Sequence, residues 1–252
     1  MLDKSRELLS GAPWLERNSK MRIDILSLFP RFFDGPFDVS MMKRARSRGI
    51  LDIRCSDIRE FSTGKHRKVD ERPFGGGPGM VLLPGPVVSA IRSVRGNHSR
   101  VIYLSPQGAP LNAEKSRSLA KEEHLVLLCG HYEGVDERVL IREIDEEISV
   151  GDYVLTSGCP AAVVLVEAVA RFIPGVIDNE EASSQDSFEE GIFDAPHYAG
   201  PREFEGLAVP EVLLSGDHSK INTWRREQAY KKTRKIRPDL TRGQNPLLRI
   251  EE

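Results

Sequence analysis

Long apolar runs are missing from this sequence. No stretch approaches the roughly 18 residues that a membrane-spanning helix needs, so no membrane partner is expected. Metal-binding spacings are missing too. The three cysteines, Cys55, Cys129 and Cys159, lie far apart, and neither C-x-x-C nor H-E-x-x-H occurs, so no metal-ligand set is expected. An odd cysteine count suits a reducing compartment. Residues 1–20 lack the apolar core of a secretory leader, and a cytoplasmic location is the expectation. They precede a clean β-compatible start at Met21 and read as a dispensable extension. Aromatic residues make up only 7% of the chain, and neither charge sign dominates, with 36 basic and 38 acidic residues and a net charge of −2. The average charge therefore says nothing about a nucleic-acid partner.

What is present is unevenly spread. Between Lys220 and Arg237 stand eight Lys or Arg and one acid, Glu227, whereas Asp178 to Glu190 holds six acids and no base. Apolar, β-compatible runs at 22–29, 51–58, 101–104 and 125–129 alternate with segments that read as helices at 41–49, 87–94, 112–121 and 161–172. Asn112 is the expected N-cap of the third of these. The nearly all-apolar segment Ala161–Phe172 should be a buried helix and is a candidate for an oligomer interface. Strands alternating with helices predict an α/β fold with a largely parallel sheet. Residues 61–86 have no helical period and centre on the Gly- and Pro-dense segment Arg72–Met80, a predicted loop. Residues 195–210 also read as loop, and 219–235 as a basic helix. A domain boundary is expected within the acidic, Ser-rich stretch 178–187.

Three short segments concentrate glycine and polar residues beside strands: Ser105–Gly108, Gly130–Gly134 and Gly151–Gly158. In open α/β sheets, ligands bind just past the carboxyl ends of strands, and glycine there allows close approach to the backbone. The segments lack both the G-x-x-x-x-G-K-[ST] phosphate cradle and positive charge, which argues against a nucleotide hydrolase. A purine bearing a sulfonium suits such a set better than a triphosphate. Two basic regions point to a polyanion. One is the Gly-rich loop with Lys65, His66, Arg67, Lys68 and Arg72. The other is Trp224, Arg225, Arg226, Tyr230, Lys231, Lys232, Arg234 and Lys235, which combine phosphate-binding charge with aromatics. Of these, Arg72, Arg225, Arg226, Lys231 and Lys232 are the candidate RNA contacts. His131 alone carries no assignment. Composition does not single out a catalytic acid among Asp186, Glu189, Glu190 and Asp194.

Short motifs run in collinear order: I-L-S-L-F-P at 25–30, V-D-E-R-P-F-G-G-G-P-G-M at 69–80, and Y-L-S-P-Q-G at 103–108. They continue with C-G-H-Y-E-G-V-D-E-R at 129–138, S-V-G-D-Y-V-L at 149–155 and R-F-I-P-G-V at 171–176. The last are D-S-F at 186–188, P-H-Y at 196–198, V-L-L-S-G-D-H at 212–218 and W-R at 224–225. Through these the chain resembles the bacterial tRNA (guanine-N1-)-methyltransferase family, TrmD, over about residues 21 to 240. The resemblance implies a SPOUT-type parallel sheet with a deep trefoil knot, a small mainly helical C-terminal domain, and a homodimer in which the linker and C-terminal domain of one subunit complete the site of the other. It implies the domains 21–177 for cofactor binding, 178–190 as flexible linker and 191–252 for tRNA.

It further implies methyl transfer from S-adenosylmethionine to N1 of guanosine 37 of tRNA, next to the anticodon, in support of reading-frame maintenance. Mg2+ is admitted as an additional cofactor. Asp186 matches the general base and Arg171 the arginine that assists it. The implied cofactor contacts are Tyr103, Leu104, Ser105, Pro106, Gln107, Gly130, Tyr132, Glu133, Gly134, Val150, Gly151, Asp152, Tyr153, Val154, Leu155 and Gly158. The chain departs from the family after Leu155, where Thr-Ser-Gly-Cys-Pro stands in place of Ser-Gly-Gly-Glu-Leu-Pro, and Ser157 and Cys159 replace a Gly and a Glu. Thr-Arg is also absent after Tyr198, leaving Arg202 as the candidate replacement contact. The competing expectation is a non-catalytic RNA-binding protein on the same scaffold.

Overall fold

Alternate residues of the central strands point to opposite sides and are buried on both, which is what a parallel sheet covered by helices on each face demands. The structure is a computed structural model that describes residues 20–177 and 186–241. Its sheet contains β1 (Met21–Ser27), β2 (Leu51–Asp57), β5 (Ser99–Pro110), β6 (His124–Cys129) and β7 (Glu146–Ser149), all parallel, in the order β2-β1-β6-β5-β7. Ile23, Ile25, Ile102, Leu104, Leu125 and Leu127 pack on one face against α1 (Ser40–Ser47) and α5 (Cys159–Ala170). Leu26, Val101, Tyr103, Val126 and Leu128 pack on the other against α2 (Pro84–Val94) and α4 (Glu137–Glu143). The α/β reading with a parallel sheet holds. A further helix, α3 (Ala113–Leu119), starts at Asn112, whose side chain accepts a hydrogen bond from the Lys115 backbone N–H at 2.8 Å, as a cap should.

At the amino ends of the strands a polar chain crosses the sheet. Ser99 Oγ lies 2.6 Å from His124 Nδ1, His124 Nε2 lies 2.7 Å from Asp24 Oδ2, and Arg22 Nε donates to the same oxygen at 2.6 Å. Burial opposes the charge of Asp24, but the hydrogen bonds from His124 and Arg22 outweigh it and hold its carboxyl below the usual range.

Several expected boundaries move. The first strand ends at Ser27 rather than Phe29, and the buried helix runs from Cys159 to Ala170 rather than 161 to 172. Ser105–Gly108 is an unpaired excursion within β5, which resumes its pairing at Ala109 and Pro110. Because Leu104 and Ala109 both pair with Ile148, the four residues between them leave the ladder and the strand re-enters the same register beyond them. The region 61–86 holds a small hairpin, β3 (Asp70–Glu71) with β4 (Val81–Leu82), around the Gly-rich connection. Between the candidate ligand segments 130–134 and 151–158 the chain also forms α4 and β7.

The chain divides into two compact units between Asp178 and Asn179. The second unit contains the hairpin β8 (Glu203–Phe204) and β9 (Leu207–Ala208), where the sequence reads as loop, then α6 (Glu211–Leu214) and the long α7 (His218–Ile236). Asp217 caps α7 by accepting from the Lys220 backbone N–H at 3.1 Å. Residues 1–19, most of the expected linker (178–185) and residues 242–252 lie outside the described residues. The described end of that linker, Asp186–Glu190, is a hydrogen-bonded turn in the second unit.

Candidate active site

The carboxyl ends of β6, β5 and β7 stand side by side, because Leu104 pairs with both Cys129 and Ile148. The chain therefore emerges from three neighbouring strands, about 5 Å apart, into the segments that carry the candidate cofactor residues. Two of these are joined directly: the Gly158 N–H donates to the Gly130 carbonyl at 2.8 Å. A Cβ at Gly158 would lie 2.9 Å from the Cys129 Cα and from the Gly130 nitrogen, both backbone atoms that cannot give way. Glycine is required there by close approach.

The candidates separate into two kinds. Tyr103 and Leu104 have buried side chains, so they form the floor of the site. Burial pushes the Tyr103 phenol up to about 12, and its hydroxyl would stand 2.8 Å from a Cβ placed on Gly130. Ser105 is buried, and its Oγ accepts from the Gln107 N–H at 3.1 Å, tightening the unpaired segment 105–108. Pro106, Gln107, Tyr132, Glu133, Asp152, Tyr153, Val154 and Leu155 are exposed and line the rim, with Gly134, Val150 and Gly151 between. Tyr132 adopts φ 61°, a left-handed conformation that costs a bulky residue energy and clusters at functional sites. Tyr153 folds its hydroxyl back to the Val150 carbonyl at 3.2 Å.

The Gly-rich connection is tied to this site, which sequence reading missed. Glu133 N–H donates to the Met80 carbonyl at 3.0 Å, and Leu82 N–H to the Gly134 carbonyl at 3.0 Å. A side chain on Gly79 would collide with Glu133. Within that connection Arg72 and Phe74 are exposed. The only available signal was the run of glycines itself.

Cys159, which departs from the family motif, is the first residue of α5 and is buried. Its Sγ lies 3.1 Å from Ser27 Oγ. Hydrogen bonding from Cys129, then from Ser27 and Ser157, pulls the Cys159 thiol down to about 6, while Cys129 is pushed up. The departure is thus absorbed into packing beneath the site.

The three segments contain no Lys or Arg, and they offer Glu133 and Asp152 with exposed apolar Val154 and Leu155. That donor set, with glycine where the backbone must be approached, fits a cationic sulfonium and a flat base. It does not suit a polyphosphate. Among the described residues, no group of three or more His, Cys, Asp or Glu comes together as potential metal donors.

The second unit supplies a groove of about 940 Å3 beside α7. Asp186, Arg225, Arg226 and Lys231 line it together; Lys232 is on the same helix but outside the lining. Glu190, Asp194 and His197 share the wall with Asp186. Ser187 Oγ donates to Asp194 Oδ1 at 2.6 Å, and this bond, with that from His197, holds the Asp194 carboxyl below its usual range. Arg226 and Glu190 form an ion pair at 4.0 Å, and Lys231 and Glu227 one at 3.9 Å. Arg171, at the C-terminal cap of α5, belongs to the first unit and Asp186 to the second.

The family model for tRNA (Guanine-1)-methyltransferase TrmD matches residues 21–243. The chain belongs to the TrmD family. It is thereby placed among methyltransferases. A tRNA (guanine-N(1)-)-methyltransferase of Protochlamydia amoebophila is 60% identical over 220 residues, which cover 87% of this chain and 99% of the relative. Those of Chlamydia pneumoniae and Chlamydia trachomatis are 59% and 58% identical over 220 residues, again 87% of this chain but only 61% and 62% of theirs. The chain therefore spans about three fifths of the length of these two TrmD relatives and almost all of the first. Among its described residues no helix is long and apolar enough to cross a membrane.

Proposed function

We propose that the protein transfers a methyl group from S-adenosylmethionine to N1 of guanosine 37 in tRNA, acting as a cytoplasmic homodimer with a trefoil-knotted sheet and supporting reading-frame maintenance. The observation that carries this reading is the groove of the second unit. Asp186, which the family motif picks out from the four carboxylates of the lining, shares the groove with Arg225, Arg226 and Lys231, so a proton acceptor stands where cations can hold a phosphate backbone.

When bound, S-adenosylmethionine supplies a methyl group already activated by its sulfonium. The protein must make the other partner reactive. N1 of guanine carries a proton and is a poor nucleophile until that proton leaves. Asp186 takes it as general base. Negative charge then builds on O6 of the base, and the Arg171 guanidinium stabilises it. Residues 103–107, 130–134 and 150–158 of the first unit would hold the cofactor, and the Glu133 and Asp152 carboxylates would be available to its cationic part. Arg225, Arg226, Lys231 and Lys232 hold the tRNA backbone, and Arg72 supports them from the Gly-rich connection. Mg2+ has no step in this scheme.

Asp186→Asn tests the reading. Cofactor affinity by calorimetry should be unchanged, while single-turnover methylation falls by about a hundredfold or more, as expected for loss of a general base. A wild-type rate would remove Asp186 from the chemistry. Absence of heat on titrating S-adenosylmethionine into the unmutated protein would favour a non-catalytic RNA-binding protein instead.

A further inference from the structure

Only two described residues of the second unit are buried, Ala229 and Thr233, both on α7. Thr233 is fully buried, and its hydroxyl is used twice. It donates to the Ala229 carbonyl one turn back at 2.8 Å and accepts from the Phe193 backbone N–H at 2.9 Å. The first bond fixes the rotamer, and the second reaches out of the helix to the segment that carries Asp186.

That segment is a closed turn. Glu189 N–H donates to the Asp186 carbonyl at 3.2 Å, and Phe188 N–H to the Ile192 carbonyl at 2.7 Å. Ser187 and Asp194 bond to each other twice, and the Phe188 and Phe193 rings meet edge to face at 5.7 Å. Phe188 sits at φ 79°, a conformation that a bulky residue holds only when its surroundings impose it. The turn is therefore stiff within itself, so any displacement moves Asp186 with it. The Arg226–Glu190 pair also spans turn and helix, but at 4.0 Å between exposed side chains it fixes little. The buried Thr233 bond is directional.

We propose that Thr233 is a positioning residue for methyl transfer: its hydroxyl sets the Asp186 turn in register with the phosphate-binding cations of α7. This rests on Asp186 being the general base. Displacement of a reacting group by about 1 Å costs up to roughly a hundredfold in rate without weakening binding elsewhere. The alternative is that Thr233 merely fills space.

Thr233→Val keeps the shape and deletes the hydroxyl, whereas Thr233→Ser keeps the hydroxyl and deletes a methyl group. The expected result for Val is a single-turnover rate lower by about tenfold or more, with tRNA and cofactor affinities within about twofold of wild type. Ser should restore the rate. If Val melts below the assay temperature, Ser and Ala decide the same point, with Ser fast and Ala slow. Equal rates for Val, Ser and wild type, or a Ser variant as slow as Val, would overturn the assignment. Asp186→Asn run alongside separates the two readings. A wild-type rate there removes the base and this inference with it. A slow Asp186→Asn beside a fast Thr233→Val overturns the Thr233 assignment alone.

Discussion

The two units of the chain would build their halves of the proposed chemistry from different materials. The first surrounds a five-stranded parallel sheet with two apolar layers, and its candidate site is made largely of backbone at strand ends. The second has only two buried residues among those described, and its groove is made of charged side chains on the surface of one helix and one turn. A backbone site inherits its precision from the sheet. A side-chain site on a thin unit must be held by individual bonds, which is why one threonine hydroxyl can matter there. Regions with few buried contacts also open most readily.

The largest effect expected from testing this contrast comes from Arg171→Ala. Arg171 belongs to the first unit but is assigned to the chemistry, so the single-turnover rate should fall by about 10²–10³ with cofactor affinity unchanged. Weaker cofactor binding with normal chemistry, measured by calorimetry beside rapid quench, would return Arg171 to the framework of the first unit.

Gly158→Ala should do the reverse. Its Cβ meets the Cys129 Cα and the Gly130 nitrogen at 2.9 Å, so the joined segments must spread. Overpacking costs about 1–3 kcal/mol, and where that strain is borne by the cofactor-binding arrangement, affinity for the cofactor should fall roughly five- to 150-fold. Filter binding should show tRNA affinity retained. Unchanged cofactor affinity would mean that these segments do not form the pocket.

A smaller effect is expected from Lys231 and Lys232 changed together to Ala. All tRNAs should bind about tenfold more weakly, and the slope of log affinity against log salt should flatten by about one to two. Lys231 lines the groove and Lys232 does not, so the single variants should rank in that order. An unaltered slope across a salt series would show that these lysines only solvate the helix.

The smallest effect concerns stability and should stay within the first unit. Asp24 has a depressed folded-state pKa, so its contribution is fully present above its unfolded value, about 3.9, and is lost as pH falls through the lower folded value. Denaturant melts of the unmutated protein should therefore weaken below about pH 4. Asp24→Asn should cost about 1–3 kcal/mol at pH 7, the penalty for disrupting a buried charged hydrogen bond, and should flatten that acid limb. An acid limb unchanged in the variant would assign it to other carboxylates.

The same contrast explains what could be read in advance. The buried strands at 22–27, 101–104 and 125–129 are legible because apolar runs bounded by glycine and proline have few alternatives, and Gly130 marks the site because little else tolerates such packing. The edge strand β7 and helix α4 went unread, since Glu146–Ser149 is a short, half-polar strand whose identity comes from pairing with β5. The return of β5 to the sheet after Ser105–Gly108 was hidden for the same reason: Pro106 and Gly108 rightly signal a departure from the ladder, and only pairing with β7 shows that Ala109 and Pro110 rejoin it. In the second unit the basic helix is visible as charge, and Asp186 as a family motif. Thr233 carries no such mark, because a threonine inside a basic helix is ordinary until the turn that it holds is seen.

One measurement bears most directly on the claim that both units serve a single reaction. An unmodified tRNA transcript with guanosine at 36 and 37 is incubated with the protein and S-adenosylmethionine, and the methylated nucleotide is mapped. The account predicts one methyl group, on N1 of guanosine 37, and none when position 37 is changed to adenosine. Methylation at another position, or undiminished methylation of the adenosine transcript, would contradict it.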